Sequence, residues 1–463
     1  MSSTKVAFYG DDFTGSADVM EVLQWHGVPS VLYLEPPTPA QLEAFAGKAA
    51  IGVAGSGRTM TPDQMRERLP AVFRALAGAG ARFVHYKTCS TFDSSPEIGS
   101  IGVALEVGRE TVGGAVTPIV VGAPNLGRYQ VFGNLFARSG LDSVPHRLDR
   151  HPTMSRHPIT PMAEADLRVH LSRQTGLPIA LCDVLDLSQP GFTPDYTAMA
   201  ERGERACLLD VLTDDHLAAV GRAIEAAAAD SEQIFVLGSS GVEYALCRHW
   251  EQTGAIPGLT GPVEPDFGPV DQVLVVSGSC SPVGARQLEH AAQNGYTLVA
   301  IDTPRLVDPE TQKAEVEASI QRALKPLRSG ESVVLHASRG PDDPRVGQTI
   351  DGLKRLGMSD LDIRLGSGER IGPALGRMMA ALLREHPLPR VGVAGGDTSG
   401  HVAHALGIWA LEAVSPLAPG SPLCRCYADG HQQPFEAFFK GGQVGRDNVW
   451  PLFRDGSAAA AAP

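Results

Sequence analysis

Along the chain, short apolar runs alternate with longer segments whose apolar residues recur at helical spacing. Runs near 5–10, 30–34, 49–54, 82–87, 118–122, 179–185, 205–210 and 233–238 read as strands. Continuous apolar runs of this length fit strands buried on both faces. Segments 16–26, 62–77, 97–110, 163–174, 214–229 and 241–252 read as the helices between them. Asp214 and Asp215 open one of these, where negative charge suits a helix amino terminus. The pattern resumes with strands near 272–277, 297–301, 332–336 and 391–394 and helices at 282–294, 311–327, 368–385 and 399–408. Leu423 to Phe439 reads as two short strands. Such alternation predicts βαβ units and mostly parallel sheets.

Between 254 and 271 the stretch GAIPGLTGPVEPDFGPVD breaks the periodicity with proline and glycine, and reads as a linker. The predicted organisation is an α/β domain over 1–253, the linker over 254–271, a second α/β domain over 272–455, and a disordered tail, GSAAAAAP, over 456–463. The expected fold class is α/β, two such domains facing an interdomain cleft, the default place for a site.

Composition narrows the function classes. The chain has 463 residues and a formal net charge of −13, so a nucleic-acid partner is not expected. An anionic small substrate stays compatible, because a local Arg/Lys cluster can override the global sign. No apolar stretch approaches the ~18 residues that span a bilayer, and the first residues lack a secretory layout. Seven scattered cysteines suggest reduced thiols and a cytoplasmic location. Cys424 and Cys426 lack a second ligand pair for zinc. Oligomeric state is left open, a homodimer included.

Candidate chemistry falls at strand ends. Gly10-Asp11-Asp12-Phe13-Thr14-Gly15 follows the first strand and precedes a helix. Two adjacent acids at the mouth of an α/β sheet suit ligand binding, although either Asp could simply cap the helix. Arg58, Lys87 and Arg128 follow the third, fourth and fifth strands, and read as exposed cations able to converge on one anion. His85 reads as a packed core histidine. In the second half, Gly395-Gly396-Asp397-Thr398-Ser399-Gly400 is a glycine-rich turn at a helix start. Such turns bring backbone N–H groups close to phosphate. Thr398 and Ser399 could donate to phosphate oxygens, and Asp397 could hold a Mg²⁺ water or cap the helix. Ser277-Gly278-Ser279 and Lys440-Gly441-Gly442 add two further turns. Neither a P-loop nor a dinucleotide fingerprint is present. Asp447 and His431 read as ordinary surface residues.

The ordered set GDDFTG at 10–15, Arg58, KTCST at 87–91, PNLGR at 124–128, LDVLTDDHL at 209–217, GSSG at 238–241, VVSGSCSPVGARQ at 275–287, GGDTSG at 395–400 and KGG at 440–442 resembles the four-carbon acid sugar kinase family. The resemblance runs over nearly the whole chain. It implies an ATP- and Mg²⁺-dependent kinase acting on a hydroxyl of a short acid sugar or 3-oxo acid sugar. It also implies sugar acid in the first domain and ATP in the second. Asp11, Asp12, Arg58, Lys87, Ser90 and Thr91 would line the sugar-acid site. Ser279, Gly395, Gly396, Asp397, Thr398 and Gly442 would contact nucleotide. One departure stands out: the family's Lys-x-Asp-Ser-Thr-x-Arg-Gly is here Lys87-Thr88-Cys89-Ser90-Thr91-Phe92-Asp93-Ser94. An acid has become Cys89 and an Arg has become Asp93, which puts the family's four-carbon substrates in doubt; the substrate classes left open are a four-carbon acid and a branched five-carbon acid such as 3-oxo-isoapionate. The catalytic assignment is Asp12 as base, ahead of Asp11, with Lys440 or Lys87 offsetting charge; the metal ligands are unassigned. A non-catalytic sugar-acid sensor and a nicotinamide oxidoreductase are the competing classes.

Overall fold

The computed structural model describes residues 4–139, 144–157, 159–259, 263–430 and 433–457. The chain divides into two compact units, 1–262 and 263–463. Most of the expected tail (458–463), and His431, lie outside the described residues.

In the first unit the strands are β1 (Val6–Gly10), β2 (Ser30–Tyr33), β3 (Ala50–Ala54), β4 (Phe83–Lys87) and β5 (Thr117–Val120). A small antiparallel sheet follows, made of β6 (Arg128–Val131), β7 (Asn134–Arg138) and β8 (Pro145–Arg147), before β9 (Ile179–Cys182), β10 (Ala206–Leu209) and β11 (Ile234–Gly238). The main sheet is parallel, in the order β2-β3-β1-β4-β11-β5-β10-β9. β1, β3, β4 and β11 are buried along their whole length, which is why they are legible as continuous apolar runs.

The chain leaves β1 toward β2 on one side, and leaves β4 toward β5 on the other. The carboxyl ends of β1 and β4 therefore form a switch point, where open α/β sheets bind ligands. Beneath it lies an aromatic cluster: Tyr9 and Tyr86 stack at 5.8 Å, and Phe73 meets Phe235 at 5.3 Å. The Tyr9 hydroxyl accepts the Ser56 N–H at 3.2 Å, tying this cluster to the loop that carries Arg58.

The second unit contains β12 (Leu274–Ser277), β13 (Tyr296–Ala300), β14 (Ser332–His336), β15 (Arg390–Ala394), β16 (Ile408–Ala418), β17 (Ser421–Ala428) and β18 (Phe435–Lys440). Their order is β13-β14-β12-β15-β18-β17-β16, parallel except for β17, which runs antiparallel to both neighbours. Here β12 and β15 diverge as β1 and β4 do, creating the same kind of switch point. Phe438, Trp450 and Phe453 pack below it, with ring centroids 5.6–6.0 Å apart.

Three expectations need correction. The expected helix at 399–408 begins three residues earlier, at Gly396, and ends at Ala405; Ile408–Ala418 is strand instead. Its alternation is obscured by register shifts against β17. The expected helix at 163–174 shrinks to Leu167–Leu171, capped by Asp166. The β6–β7 hairpin was not expected, because its tight turn is Phe132-Gly133, both at positive φ, in place of the usual Asn-Gly.

Candidate active site

The first switch point gathers four charged side chains. Asp11 is buried, and its N–H donates to the Lys87 carbonyl at 2.9 Å, fixing β1 to β4 at their ends. Arg58 grips both acids: Nη2 reaches Asp11 Oδ1 at 3.1 Å and Nη1 reaches Asp12 Oδ2 at 2.9 Å. Asp12 also caps the helix Phe13–Trp25, accepting the Gly15 N–H at 2.8 Å. This starts the helix three residues earlier than expected. The capping and site readings of Asp12 are thus compatible: one oxygen caps and the other faces Arg58. A Cβ at Gly15 would sit 2.3 Å from both Asp12 Oδ1 and Lys87 Nζ, so only glycine leaves room for the two groups there.

The two acids are tuned in opposite directions. Burial pushes Asp11 above the usual carboxylate range, with the neighbouring Asp12 adding to it and Arg58 opposing. Burial acts on Asp12 the same way, but Arg58, Lys87, the Gly15 N–H and the Thr14 hydroxyl outweigh it and hold Asp12 below that range. Divergent tuning of neighbouring acids is how one site separates acid and base roles.

Lys87 corrects an expectation: it is buried, only 4% exposed, because it is the last residue of an interior strand. Burial disfavours its charge, yet Asp18, Asp12 and Asp11 outweigh burial and hold its pKa above the ordinary lysine value. Asp18, on the following helix, had not been singled out in the sequence. Arg128 does not join the Arg58–Lys87 cluster. Its Nε donates to Ser90 Oγ at 3.2 Å, and Nη1 donates to the carbonyls of Leu126 at 2.9 Å and Arg138 at 3.2 Å. No carboxylate among the described residues pairs with it.

The 89–93 loop turns its altered residues inward. Thr91 donates to Asp93 Oδ1 at 2.6 Å, and Cys89 Sγ lies 3.0 Å from Thr91 Oγ1. Thr160 Oγ1 approaches Asp93 Oδ2 at 3.5 Å. Burial raises the Cys89 thiol, with Asp93 adding to it, so Cys89 is a neutral thiol at neutral pH. Phe92 between them holds φ at 55° while fully buried. A bulky residue in the left-handed region is held there only by its surroundings. His85 is a core histidine, as expected, bonded to buried Glu243 at 2.7 Å.

The second switch point holds no carboxylate pair. Its three turns are stitched by backbone: the Gly278 N–H donates to the Ala394 carbonyl at 2.9 Å, and the Gly395 N–H to the Lys440 carbonyl at 2.9 Å. Ser281 caps the helix Pro282–Gln293 and donates through Oγ to the Gly442 carbonyl at 2.5 Å. A Cβ at Gly278 would lie 2.2 Å from Thr398 Oγ1, and one at Gly442 2.4 Å from Ser279 Oγ. Glycine thus keeps a cradle open among three turns, two of which bear hydroxyls. Gly396 and Asp397 form the first turn of the helix Gly396–Ala405, and Asp397 is exposed, with no side-chain cap role. Ser277 is buried at the end of β12. Ser399 is fully buried and spends its hydroxyl on the Gly395 carbonyl at 2.8 Å, leaving no proton for phosphate. Asp447 pairs with Arg286 at 3.0 Å on the surface.

Two family models match this chain: a sugar-binding N-terminal domain over residues 6–246 and a nucleotide-binding C-terminal domain over 274–449. Their pairing defines a class of proteins with one sugar-binding and one nucleotide-binding part. A 3-oxo-isoapionate kinase of Paraburkholderia graminis is 44% identical over 98% of this chain and 95% of its own length. A 3-oxo-tetronate kinase of Methylobacterium radiotolerans is 28% identical over 94% and 95%. A solved structure from Salmonella typhimurium LT2 superposes with a TM-score of 0.76 at 26% identity, covering 97% of this chain and 98% of that one. The chain belongs to the four-carbon acid sugar kinase family.

Proposed function

We propose that this acid sugar kinase transfers the terminal phosphoryl group of ATP to a hydroxyl of a short 3-oxo acid sugar. The branched five-carbon acid, 3-oxo-isoapionate, is the first choice over a four-carbon acid. The relative's name and the Cys89/Asp93 departure both support that choice. The observation that carries the mechanism is the opposed tuning of Asp11 and Asp12 beneath Arg58.

Asp12 stays ionised and its side chain is 26% exposed, so it is the acid placed to take the proton of an attacking hydroxyl. A weak base suffices, since phosphoryl transfer depends mainly on positioning and charge stabilisation. Asp11 is too enclosed for that role and instead orients Arg58. Arg128, Ser90 and Thr91 complete the sugar-acid side. Arg128 meets the substrate carboxylate, because protein acids already neutralise Arg58 and Lys87. Ser279, Gly395, Gly396, Thr398 and Gly442 hold the ATP phosphates in the cradle. The cradle fits that ligand by its glycine clearance, by the Thr398 hydroxyl, and by the Ser279 hydroxyl, which accepts the Ser281 N–H at 3.2 Å and keeps its proton to donate.

Among the described residues no group of three or more His, Cys, Asp or Glu side chains could hold a metal by itself. Mg²⁺ in such reactions takes one or two carboxylates plus substrate phosphates, and exposed Asp397 suits it. When bound, Mg²⁺ offsets phosphate charge. No helix among the described residues is long and apolar enough to cross a membrane. All seven cysteines are free thiols, which supports work in the reducing cytoplasm.

The test is ADP release with Mg·ATP against four- to six-carbon sugar acids and their 3-oxo forms. Turnover on 3-oxo-isoapionate above the four-carbon acids is the expected result. Binding of a sugar acid without any turnover of ATP would favour the sensor, and ATP binding with no turnover across the panel would mean an untested acid.

A further inference from the structure

Two lysines end interior strands, one in each unit, and their surroundings differ. Lys87 has three carboxylates bearing on it. Lys440, the last residue of β18, is fully buried, and its Nζ has no hydrogen-bond partner among the described residues. Nζ lies over the face of Trp450, whose ring centroid is 5.9 Å away. No carboxylate, guanidinium or imidazole of the described residues bears on it; burial alone lowers its pKa to about 8. A buried, unpaired ammonium is among the costliest groups a core can hold, and methionine or leucine would fill the same space without that cost. A position that keeps lysine at such a cost calls for an anion.

The backbone says which anion. The Lys440 carbonyl accepts the Gly395 N–H at 2.9 Å, and two residues on the Gly442 carbonyl accepts Ser281 Oγ at 2.5 Å. Lys440 is therefore built into the wall of the glycine–hydroxyl cradle. To reach the cradle its flexible four-carbon stem has to turn from the Trp450 face while the backbone stays fixed. The other two phosphate-facing turns carry hydroxyls and N–H groups but no cation.

We propose that Lys440 is the cation of the nucleotide site, meeting the outer phosphates of ATP and distinguishing ATP from AMP, while Lys87 stays in the field of Asp18, Asp12 and Asp11. This rests on the reading that the cradle takes ATP, and it selects Lys440 over Lys87 as the group that offsets phosphate charge.

Calorimetry with ATP and with AMP, on wild type and on Lys440→Met, tests it. A charge-assisted contact predicts that ATP affinity falls about 10- to 100-fold in the variant. AMP affinity should change less than about threefold, since AMP lacks the outer phosphates. The melting temperature without nucleotide should hold or rise, because an unpaired buried charge has been removed. Equal weakening of ATP and AMP, or no weakening of either, would overturn the proposal. So would a lower melting temperature with ATP-over-AMP discrimination intact, which would make Lys440 structural.

Should the variant not fold, wild type still decides. Near pH 8, ATP binding repeated in buffers of different ionisation heat should show proton uptake, and AMP should show none. No uptake with ATP would overturn the proposal. Failure of wild type to bind ATP at all would instead sink the underlying nucleotide reading.

Discussion

The two units solve one topological problem with opposite chemistry. In each, the first strand sits between its third and fourth: β3-β1-β4 in one, β14-β12-β15 in the other. Each therefore opens a crevice at the same pair of strand ends. In the first unit that crevice holds Asp11, Asp12, Arg58 and Lys87, a set of charges that largely neutralise one another. In the second it holds glycines, hydroxyls and one buried lysine without a counter-charge. Topology thus fixes where a ligand goes, and the side chains at the strand ends decide what goes there. A balanced charge cluster can orient a polar substrate and move a proton. A neutral, donor-rich cradle beside an uncompensated cation suits a polyanion.

The largest effect should come from the charged crevice. Asp12→Asn keeps a helix-capping side chain, so the fold should hold. Turnover should fall by about 10²-fold or more if Asp12 takes the proton. A steady-state assay with saturating ATP and sugar acid checks it. Near-normal turnover would remove Asp12 from that role.

Next comes Arg128, which pairs with no carboxylate among the described residues. Arg128→Gln should raise KM for the sugar acid by about 10- to 100-fold, the value of a hydrogen bond to a charged group. KM for ATP should stay put. If both rise together, Arg128 is holding the Ser90 loop rather than reading the substrate.

The glycine cradle offers a milder perturbation from the other side of the comparison. Gly278→Ala puts a methyl 2.2 Å from Thr398 Oγ1, so the turn must shift. Overpacking of that kind costs about 1–3 kcal/mol, seen here as a KM for ATP raised several-fold with KM for the sugar acid unchanged. Adding Thr398→Ser should not relieve it, since the hydroxyl remains, whereas Thr398→Ala should restore part of the space. Equal ATP affinity in wild type and Gly278→Ala would mean that phosphate does not approach this turn.

Comparing the units also shows what could be read from sequence alone. Interior parallel strands were placed within two residues at nearly every start because burial on both faces makes them apolar runs bounded by polar turns. Two helix starts slipped by three residues, where the turn residues Asp12 and Gly395 are themselves the caps. β16 and the β6–β8 sheet were missed because bulges and an unusual Phe-Gly turn hide their period. Asp11, Asp12, Arg58 and Lys87 could be grouped in advance, since all of them follow interior strands. That Lys87 is buried, that Arg128 turns to Ser90, and that Ser399 is spent on Gly395 depend on side-chain direction, which strand-end position does not fix. The Asp93–Thr160 approach joins residues 67 apart in the chain and leaves no local signal.

That approach supports the smallest prediction, a pH effect on stability. Burial would raise Asp93, but Arg58, the Thr91 hydroxyl and His157 outweigh it and hold its carboxyl below the usual range. A depressed folded-state pKa means the folded chain holds its proton less tightly than the unfolded chain. The stabilisation is therefore fully present above the unfolded carboxylate value and is lost as pH falls through the lower folded value. Asp11, tuned the opposite way by burial, works against this trend in the same acidic range. Unfolding free energies from urea titrations between pH 7 and pH 3 should fall with acid in wild type. In Asp93→Asn that fall should be shallower, with the remaining slope set by other acids such as Asp12. An unchanged slope in Asp93→Asn would mean the 89–93 loop is held by packing around Phe92, and not by the Asp93 carboxylate.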